Sequence, residues 1–451
     1  MTPFKLTEEF VKEIEQLIDQ NNDAELNSML GAVHYADVAE IINELDENQA
    51  TYLIKLLGSD KTSDVLTELD EDVREAILGN LSSQEIASEL EELDTDDAAD
   101  IIGELPKEQI QDVISKIEDR DHAKDIVDLL RYAEDSAGGL MAKELVKVNE
   151  NWNVLTCVKE MRAQAENVTR VHSIYVVDDE DKLKGRLSLK DLLTTSTKTH
   201  IKDVFIKNVD AVNVNEDPEE VARIMTKYDL EAIPVVDEIG RLVGRITIDD
   251  IVDVIKEEAE RDYQMAAGIS RGVDSDDSIW ELTKARLPWL IIGMFGGIGA
   301  ASIISSFQEV MSTFPILLIF VPLIQATAGN VGVQSSAIMV QGLANNTVKG
   351  EILNRLIKEF TLGLINGIAI AAIVLVISHF FFHTSYLISI TLCVALISVI
   401  IIAALIGTFI PVFLDKRGVD PAVATGPFIT TGNDIFGILI YFSIAKVILG
   451  I

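Results

Sequence analysis

The chain has 451 residues, with 73 Asp and Glu against 37 Lys and Arg and a formal net charge of −36. Such acidity excludes a nucleic-acid binder that works through a basic patch. Mean hydropathy is nevertheless +0.25, so acidic and apolar character must be segregated along the chain. From Ile279 to Ile451 there are 7 acidic and 8 basic residues, net +1, which leaves 66 acidic and 29 basic, net −37, in residues 1–278. Two cysteines, Cys157 and Cys393, lie in different halves, so no disulfide framework is expected and a reducing compartment suits the acidic half. The opening MTPFKLTEEF has no apolar core, so no cleaved leader is expected.

Residues 1–134 read as short amphipathic helices, among them Ala36–Leu45, Asp64–Leu69, Asp72–Leu81, Gln84–Leu93, Asp97–Leu105 and Glu108–Ile117, many with Asp or Ser near their starts as caps. Stacked short helices predict an α-superhelix, to which no period is assigned. From residue 135 the texture turns β-rich. His172–Leu193 aligns without a gap to Glu231–Val252, 59 residues on, with 8 of 22 positions identical. Each copy reads strand, turn, strand, helix. The pair resembles tandem cystathionine-β-synthase (CBS) domains, set at 135–200 and 201–256, and the resemblance implies α/β modules that dimerise and sense ligands. It also implies a nucleotide site, with ATP as a candidate ligand. The family pattern Gly-h-x-Ser/Thr-x-x-Asp is matched by Gly185, Ser188 and Asp191 and again by Gly244, Thr247 and Asp250. In that family the hydroxyl and carboxylate contact ribose and phosphate.

A connecting helix is expected over 257–282. Acids crowd at its start and just before it: Asp249, Asp250, Asp253, Glu257, Glu258, Glu260 and Asp262, with a second group, Asp94, Asp96, Asp97 and Asp100, among the N-terminal helices. A solvated helix face accounts for many such groups. A net −37 on 278 residues also means self-repulsion, which divalent cations bound between domains would relieve.

Five uncharged or nearly uncharged apolar runs, at about 287–308, 313–342, 360–381, 386–412 and 421–448, are each long enough to cross roughly 30 Å of hydrocarbon as a helix. They predict an all-α membrane domain over 283–451. Lys284 and Arg286 precede the first run, Lys349, Arg355 and Lys358 follow the second, and Lys416 and Arg417 follow the fourth. The other two loops carry no Lys or Arg, an alternation that predicts a cytoplasmic acidic half and an outside C-terminus. Gly293-x-x-x-Gly297 and Gly363-x-x-x-Gly367 have the spacing that lets helix backbones approach.

One acid stands deep in a run. Asp434 is placed about a dozen residues into the fifth, where a charge costs on the order of 2.5–3.5 kcal/mol on insertion scales. Helical stepping puts Gly426, Thr430, Asp434, Gly437 and Tyr441 on one stripe, and Gln325, Gly329, Gly332 and Ser336 on a stripe of the second run, beside Thr327, Asn330 and Gln334. Pro427 and Pro322 are expected to free the carbonyls of Val423 and Leu318. Oxygen donors without His or Cys suit a hard cation such as Mg²⁺ or Ca²⁺, and a sparse site with one carboxylate suits Mg²⁺ that keeps its water. A structural hydrogen-bonding role for Asp434 and a proton relay are the alternatives.

The order of acidic helical domain, CBS pair, connecting helix and five spans resembles the MgtE family of magnesium channels over essentially the whole chain. Pro288-Trp289, VPLIQATAGNVGVQSS over Val321–Ser336, and DPAVATGPFITTGND over Asp420–Asp434 carry the likeness. The resemblance implies an integral plasma-membrane homodimer in membrane lipid, with the pore between two copies of the second and fifth spans. Asp434 matches the pore carboxylate, with Asn330, Thr430, Gly426 and Gly329 around it. Asp96, Asp100, Asp250, Asp253, Glu258 and Asp262 match regulatory Mg²⁺ sites, while Arg261 stands where the family can carry another acid. The implied activity is Mg²⁺ uptake, closed by intracellular Mg²⁺, with no enzymatic chemistry. Rivals are a divalent-cation carrier coupled to H⁺ or Na⁺, a CBS nucleotide sensor with a membrane anchor, and an intramembrane aspartyl protease. The protease reading is disfavoured because Asp420 stands about four turns from Asp434.

Overall fold

The computed structural model describes residues 4–450 apart from 166, 167, 169, 271, 275, 276, 345–347, 349–351 and 425. Lys349, one of the loop cations noted above, lies outside the described residues. The chain divides into two compact units, Met1–Ile255 and Lys256–Ile451.

The first unit begins with ten short helices: α1 (Glu8–Asp19), α2 (Asp23–Leu30), α3 (Tyr35–Asn43), α4 (Glu47–Leu56), α5 (Ser59–Thr67), α6 (Glu71–Gly79), α7 (Ser83–Leu90), α8 (Thr95–Glu104), α9 (Lys107–Lys116) and α10 (Arg120–Leu129). From α3 to α9 every helix starts twelve residues after the last. The period is written in the sequence: Leu45, Leu57, Leu69, Leu81, Leu93, Leu105 and Ile117 recur at twelve-residue intervals, each near the end of one helix. Helices therefore pack on their second neighbours, α3 on α5, α5 on α7, α7 on α9, α4 on α6 and α8 on α10. The repeating unit is a 24-residue helix pair, the quasi-one-dimensional stacking of a solenoid. Caps punctuate it. Asp46 Oδ1 accepts from the amides of Asn48 and Gln49 at 2.9 and 3.0 Å, and Ser82 with Glu85 makes a reciprocal capping box.

Two β-modules follow. The first holds β1 (Val146–Asn149), α11 (Val154–Gln164), β2 (Ile174–Val177), β3 (Leu183–Leu187) and α12 (Leu189–Thr194). The second holds β4 (Val212–Asn213), α13 (Pro218–Tyr228), β5 (Ala232–Val236), β6 (Leu242–Thr247) and α14 (Ile248–Ala266). In each, the first strand pairs parallel and the third antiparallel with the middle strand. The 59-residue repeat has a physical counterpart in a pseudo-twofold exchange: Leu183 N donates to Gly240 O at 3.1 Å and Leu242 N to Asp181 O at 2.9 Å. Likewise Arg186 bridges to Ile206 and Arg245 to Ala142. A Cβ on Gly185 would lie 2.1 Å from Ile206 O, and one on Gly244 would lie 2.8 Å from Ala142 O. Both glycines of the nucleotide pattern thus admit the segment that enters the opposite module. A single core links the helical repeat, from Ile14 to Leu129, with second-module residues such as Val221, Ile233 and Val254.

Among the described residues, the second unit contains five helices long and apolar enough to cross a membrane. They are α15 (Ile279–Ser306), α18 (Val321–Ala344), preceded by the short α16 (Gln308–Thr313) and α17 (Ile316–Ile319), α19 (Ile352–Phe380), α20 (Tyr386–Asp415) and α21 (Pro427–Leu449). Helix α14 closes the second β-module, runs on into the connecting segment and ends at Ala266; Ser278 then caps α15 with Glu281 in a capping box. Two proline expectations are corrected. Pro427 is the first residue of α21 and Pro322 the second of α18, positions where no helix carbonyl depends on the missing N–H. Asp434 is consequently the eighth residue of its helix rather than about the twelfth. Gly363 and Gly367 do admit α20, with a Cβ reaching 3.2 Å from Ile401 Cα and Ile397 Cα, but Gly293 and Gly297 meet nothing within 4 Å. In α15 the close approaches are made by Gly296 and Gly299 instead.

Candidate functional site

In the membrane unit α21 is held by glycine notches on two neighbours. A Cβ on Gly296 of α15 would stand 1.8 Å from Thr431 Cγ2, and one on Gly299 would stand 3.4 Å from Ile435 Cδ1. From α18, a Cβ on Gly329 would stand 3.1 Å from Thr430 Cγ2 and one on Gly332 1.8 Å from Asn433 Nδ2. Gly437 faces back onto Ala328. At about 100° per residue, Asp434 lies about 40° round from Thr430, between the face on α18 and the face on α15. Its carboxylate is half-buried at that seam.

The other expected pore residues separate by role. Gly329 is buried as a notch, while Asn330 and Gln334 stand on the exposed side of α18. Thr430 donates its Oγ1 to Gly426 O at 2.7 Å, and its amide donates to the same oxygen at 3.0 Å. Both lone pairs of that carbonyl are taken, so the oxygen with acceptor capacity to spare is the Thr430 hydroxyl. Gly426 has a second task. Its φ of +54° and a Cβ position 2.1 Å from Ala266 O let the end of α14 rest on the start of α21, and Gly268, at φ +84°, lies against Pro427 in the same way. Tyr441, the last member of the stripe, is buried and donates to Leu317 O at 2.9 Å. Glu359 lies inside α19 and accepts from Ser335 Oγ at 3.2 Å.

The end of the connecting helix is tied down locally. The Gln264 side-chain amide donates to Val273 O at 2.8 Å and accepts from Val273 N at 3.0 Å, and Ser270 donates twice to Ala285 O. Asp262 is pushed up from the ordinary carboxylate range, first by burial and then by Asp420. Arg261 pairs with Glu258 at 2.6 Å, so this residue occupies one of the expected sensor acids.

In the first unit α8 places Asp94, Asp96, Asp97 and Asp100 against acids of other segments. Carboxylate oxygens of Asp94, Asp96 and Glu144 lie within 4.8 Å of one another. Glu144 was not singled out in the sequence, since it stands alone between the two acidic groups. Thr95 fixes it, donating Oγ1 at 2.8 Å and its amide at 3.2 Å. Asp250 accepts from Thr247 Oγ1 at 2.6 Å and Thr247 N at 3.0 Å. Burial and then the charge of Asp250 hold Asp96 well above the usual carboxylate range. The same causes push Asp97 up to about 7, and burial followed by Glu134 raises Asp100 to about 6. Asp250 and Glu144 are raised too, chiefly by burial. Arg245, 4% exposed and 3.6 Å from Asp94, is a cation beside this cluster. Such a group of oxygen ligands resists full ionisation until a hard cation joins it.

The structure thus brings Asp96, Asp100 and Asp250 into one electrostatic neighbourhood. Asp253 is exposed on α14, and Glu258 and Asp262 belong to the second unit. The two nucleotide motifs also differ: Thr247 and Asp250 are hydrogen-bonded to each other, whereas Ser188 starts α12 without a side-chain cap.

Residues 321–444 match the family model MgtE, described as a divalent cation transporter; residues 33–135 match the MgtE intracellular N domain, and 137–197 and 201–257 match the CBS domain. The magnesium transporter MgtE of Enterococcus faecalis is 38% identical over 72% of this chain and 72% of its own. That of Bacillus subtilis is 35% identical over the same shares. Among solved structures, the cytosolic domain of the Mg²⁺ channel MgtE in complex with ATP matches at 34% identity and a TM-score of 0.50, covering 54% of this chain and 99% of that one.

Proposed function

Because the chain belongs to the MgtE family, we propose that it is a Mg²⁺-selective channel for Mg²⁺ uptake, closed by intracellular Mg²⁺. It works as a homodimer in the plasma membrane, with residues 1–282 in the cytoplasm and the C-terminus outside. Its parts are the helical domain 1–134, CBS modules 135–200 and 201–256, the connecting segment 257–282 and the membrane domain 283–451. The relatives named above as magnesium transporters support the cargo.

The observation that carries the reading is the setting of Asp434, a half-buried carboxylate at the seam of α15 and α18 with the Thr430 hydroxyl one turn before it. One charge and neutral oxygens favour a small divalent ion that keeps most of its water, because Mg²⁺ dehydrates reluctantly. Asn330 supplies a further amide from α18, while Gly329 and Gly426 shape the passage. The regulatory ions sit among Asp96, Asp100 and Asp250, and beside Asp253, Glu258 and Asp262. Bound there, Mg²⁺ neutralises carboxylates that otherwise repel, and α14 carries the change to the start of α21 through the Gly426 contact. A solved relative bound to ATP supports a nucleotide at the CBS modules, held by Ser188, Asp191, Thr247 and Asp250.

The test is flux into liposomes carrying the full chain. Asp434→Ala is expected to abolish Mg²⁺ entry while the dimer stays intact on gel filtration. Currents reversing at the Mg²⁺ equilibrium potential and indifferent to H⁺ and Na⁺ gradients separate a channel from a coupled carrier.

A further inference from the structure

Asn433, the neighbour of Asp434, is 1% exposed, yet neither Oδ1 nor Nδ2 of its side chain has a hydrogen-bond partner among the described residues. Ser336 of α18 and Thr408 of α20, both 0% exposed, carry unpartnered hydroxyls as well. Buried polar groups in such number call for a shared partner, most of all in a membrane, where no bulk water can reach them.

These groups belong to three helices that approach one another closely at Gly332 and Gly407. The Gly332 notch receives the Asn433 amide, a Cβ on Gly407 would lie 2.4 Å from Gly332 O, Ser336 is one turn beyond Gly332, and Thr408 follows Gly407. The donor set then selects the ligand. Nδ2 only donates, Oδ1 only accepts, and the hydroxyls do both. A cation would face the Nδ2 hydrogens, and an anion would bring uncompensated charge. Water can serve every group at once.

We propose that Asn433, Ser336 and Thr408 bind a water between α18, α20 and α21, and that through it Asn433 is a positioning residue fixing the rotation of α21. This rests on the reading of Asp434 as the pore carboxylate. Adjacent residues differ by about 100° on a helix, so locking Asn433 into the three-helix junction sets where Asp434 points. A turn of about 20° carries a carboxylate at a radius of about 6 Å through about 2 Å, enough to misplace it against a hydrated ion.

The experiment measures the half-saturating external Mg²⁺ concentration for flux into liposomes holding the full chain. Asn433→Leu, which removes the amide and keeps the volume, is expected to raise it about tenfold. The pair Ser336→Ala with Thr408→Val raises it about threefold, and adding that pair to Asn433→Leu changes it by less than about twofold, since the water is already lost. Asn433→Ser, which keeps a hydroxyl and room for water, stays within about threefold of the unaltered chain. Unchanged half-saturation in Asn433→Leu, or effects that simply multiply in the triple variant, overturns the proposal. If Asn433→Leu does not assemble, Gly332→Ala takes its place, because its Cβ would meet Nδ2 at 1.8 Å; no shift there is equally fatal. Asp434→Asn is run beside them. Lost flux in Asp434→Asn with no shift in the Asn433 series sinks the positioning role alone, whereas normal flux in Asp434→Asn sinks the pore reading.

Discussion

If the acids of α8 form the cytoplasmic Mg²⁺ sensor, binding must displace protons, and its strength must rise with pH. Asp97 is held at about 7 and Asp100 at about 6. For two such groups the proton competition factor is about 20 at pH 6 and about 1 at pH 8, so apparent Mg²⁺ affinity is expected to climb about 20-fold across that interval. Asp96, held well above the usual range, adds to the rise. At pH 6.5 about one proton per site leaves Asp97 and Asp100 together, and at pH 8 about a tenth of one. Calorimetry on the full-length protein in buffers of different ionisation enthalpy reads both quantities directly. An affinity constant to within twofold between pH 6 and 8, with no proton release at pH 6.5, would refute the assignment of these carboxylates to the sensor. The sign also governs stability without Mg²⁺. Because the folded pKa values lie above the unfolded ones, the native unit binds more protons between about pH 4 and 7, and its stability falls as pH rises through that window. Saturating Mg²⁺ should flatten the dependence. Asp97 and Asp100 are exposed at the surface, so desolvation is weaker than a buried setting would give, and the pH effects above are upper bounds.

Three further outcomes are expected. Neutralising Asp250 and Asp253 together should shift inhibition by internal Mg²⁺ to higher concentrations in liposome flux, with entry at low internal Mg²⁺ unchanged. Gly426→Ala forces a side chain into a left-handed backbone and toward Ala266 O; strain of about 1–3 kcal/mol should release the end of α14 and leave flux poorly inhibited by internal Mg²⁺. Leu93→Ala removes one tooth of the twelve-residue repeat, 7% exposed, and should lower stability by about 2–5 kcal/mol, read as an earlier melting transition of the helical domain.

The domain order and the spans were legible because their signals are long: runs of apolar residues and a 59-residue internal repeat. The superhelical period was equally present in Leu45 through Ile117, but each element is only eight to ten residues from α3 to α9, too short for hydrophobic periodicity to stand out until the helix starts are aligned. Helix starts were the weakest reading. Pro427 lies inside the apolar run 421–448 yet opens α21, because proline suits the first turn of a helix and disfavours its interior. Gly185 and Gly244 carried a family motif, yet their steric reason, the approach of Ile206 and Ala142, depends on segments far away in sequence. Glu144 and Asn433 were missed for the same cause. Neither has a local pattern, and each becomes notable only when folding sets it beside Asp96 or Gly332.

The most direct measurement is Mg²⁺ current through the reconstituted full-length protein as internal Mg²⁺ is stepped from micromolar to millimolar, with Asp434→Ala as the paired variant. Current that reverses at the Mg²⁺ equilibrium potential, shuts as internal Mg²⁺ rises and vanishes in Asp434→Ala is the expected result. Undiminished current in Asp434→Ala would contradict the account at its centre.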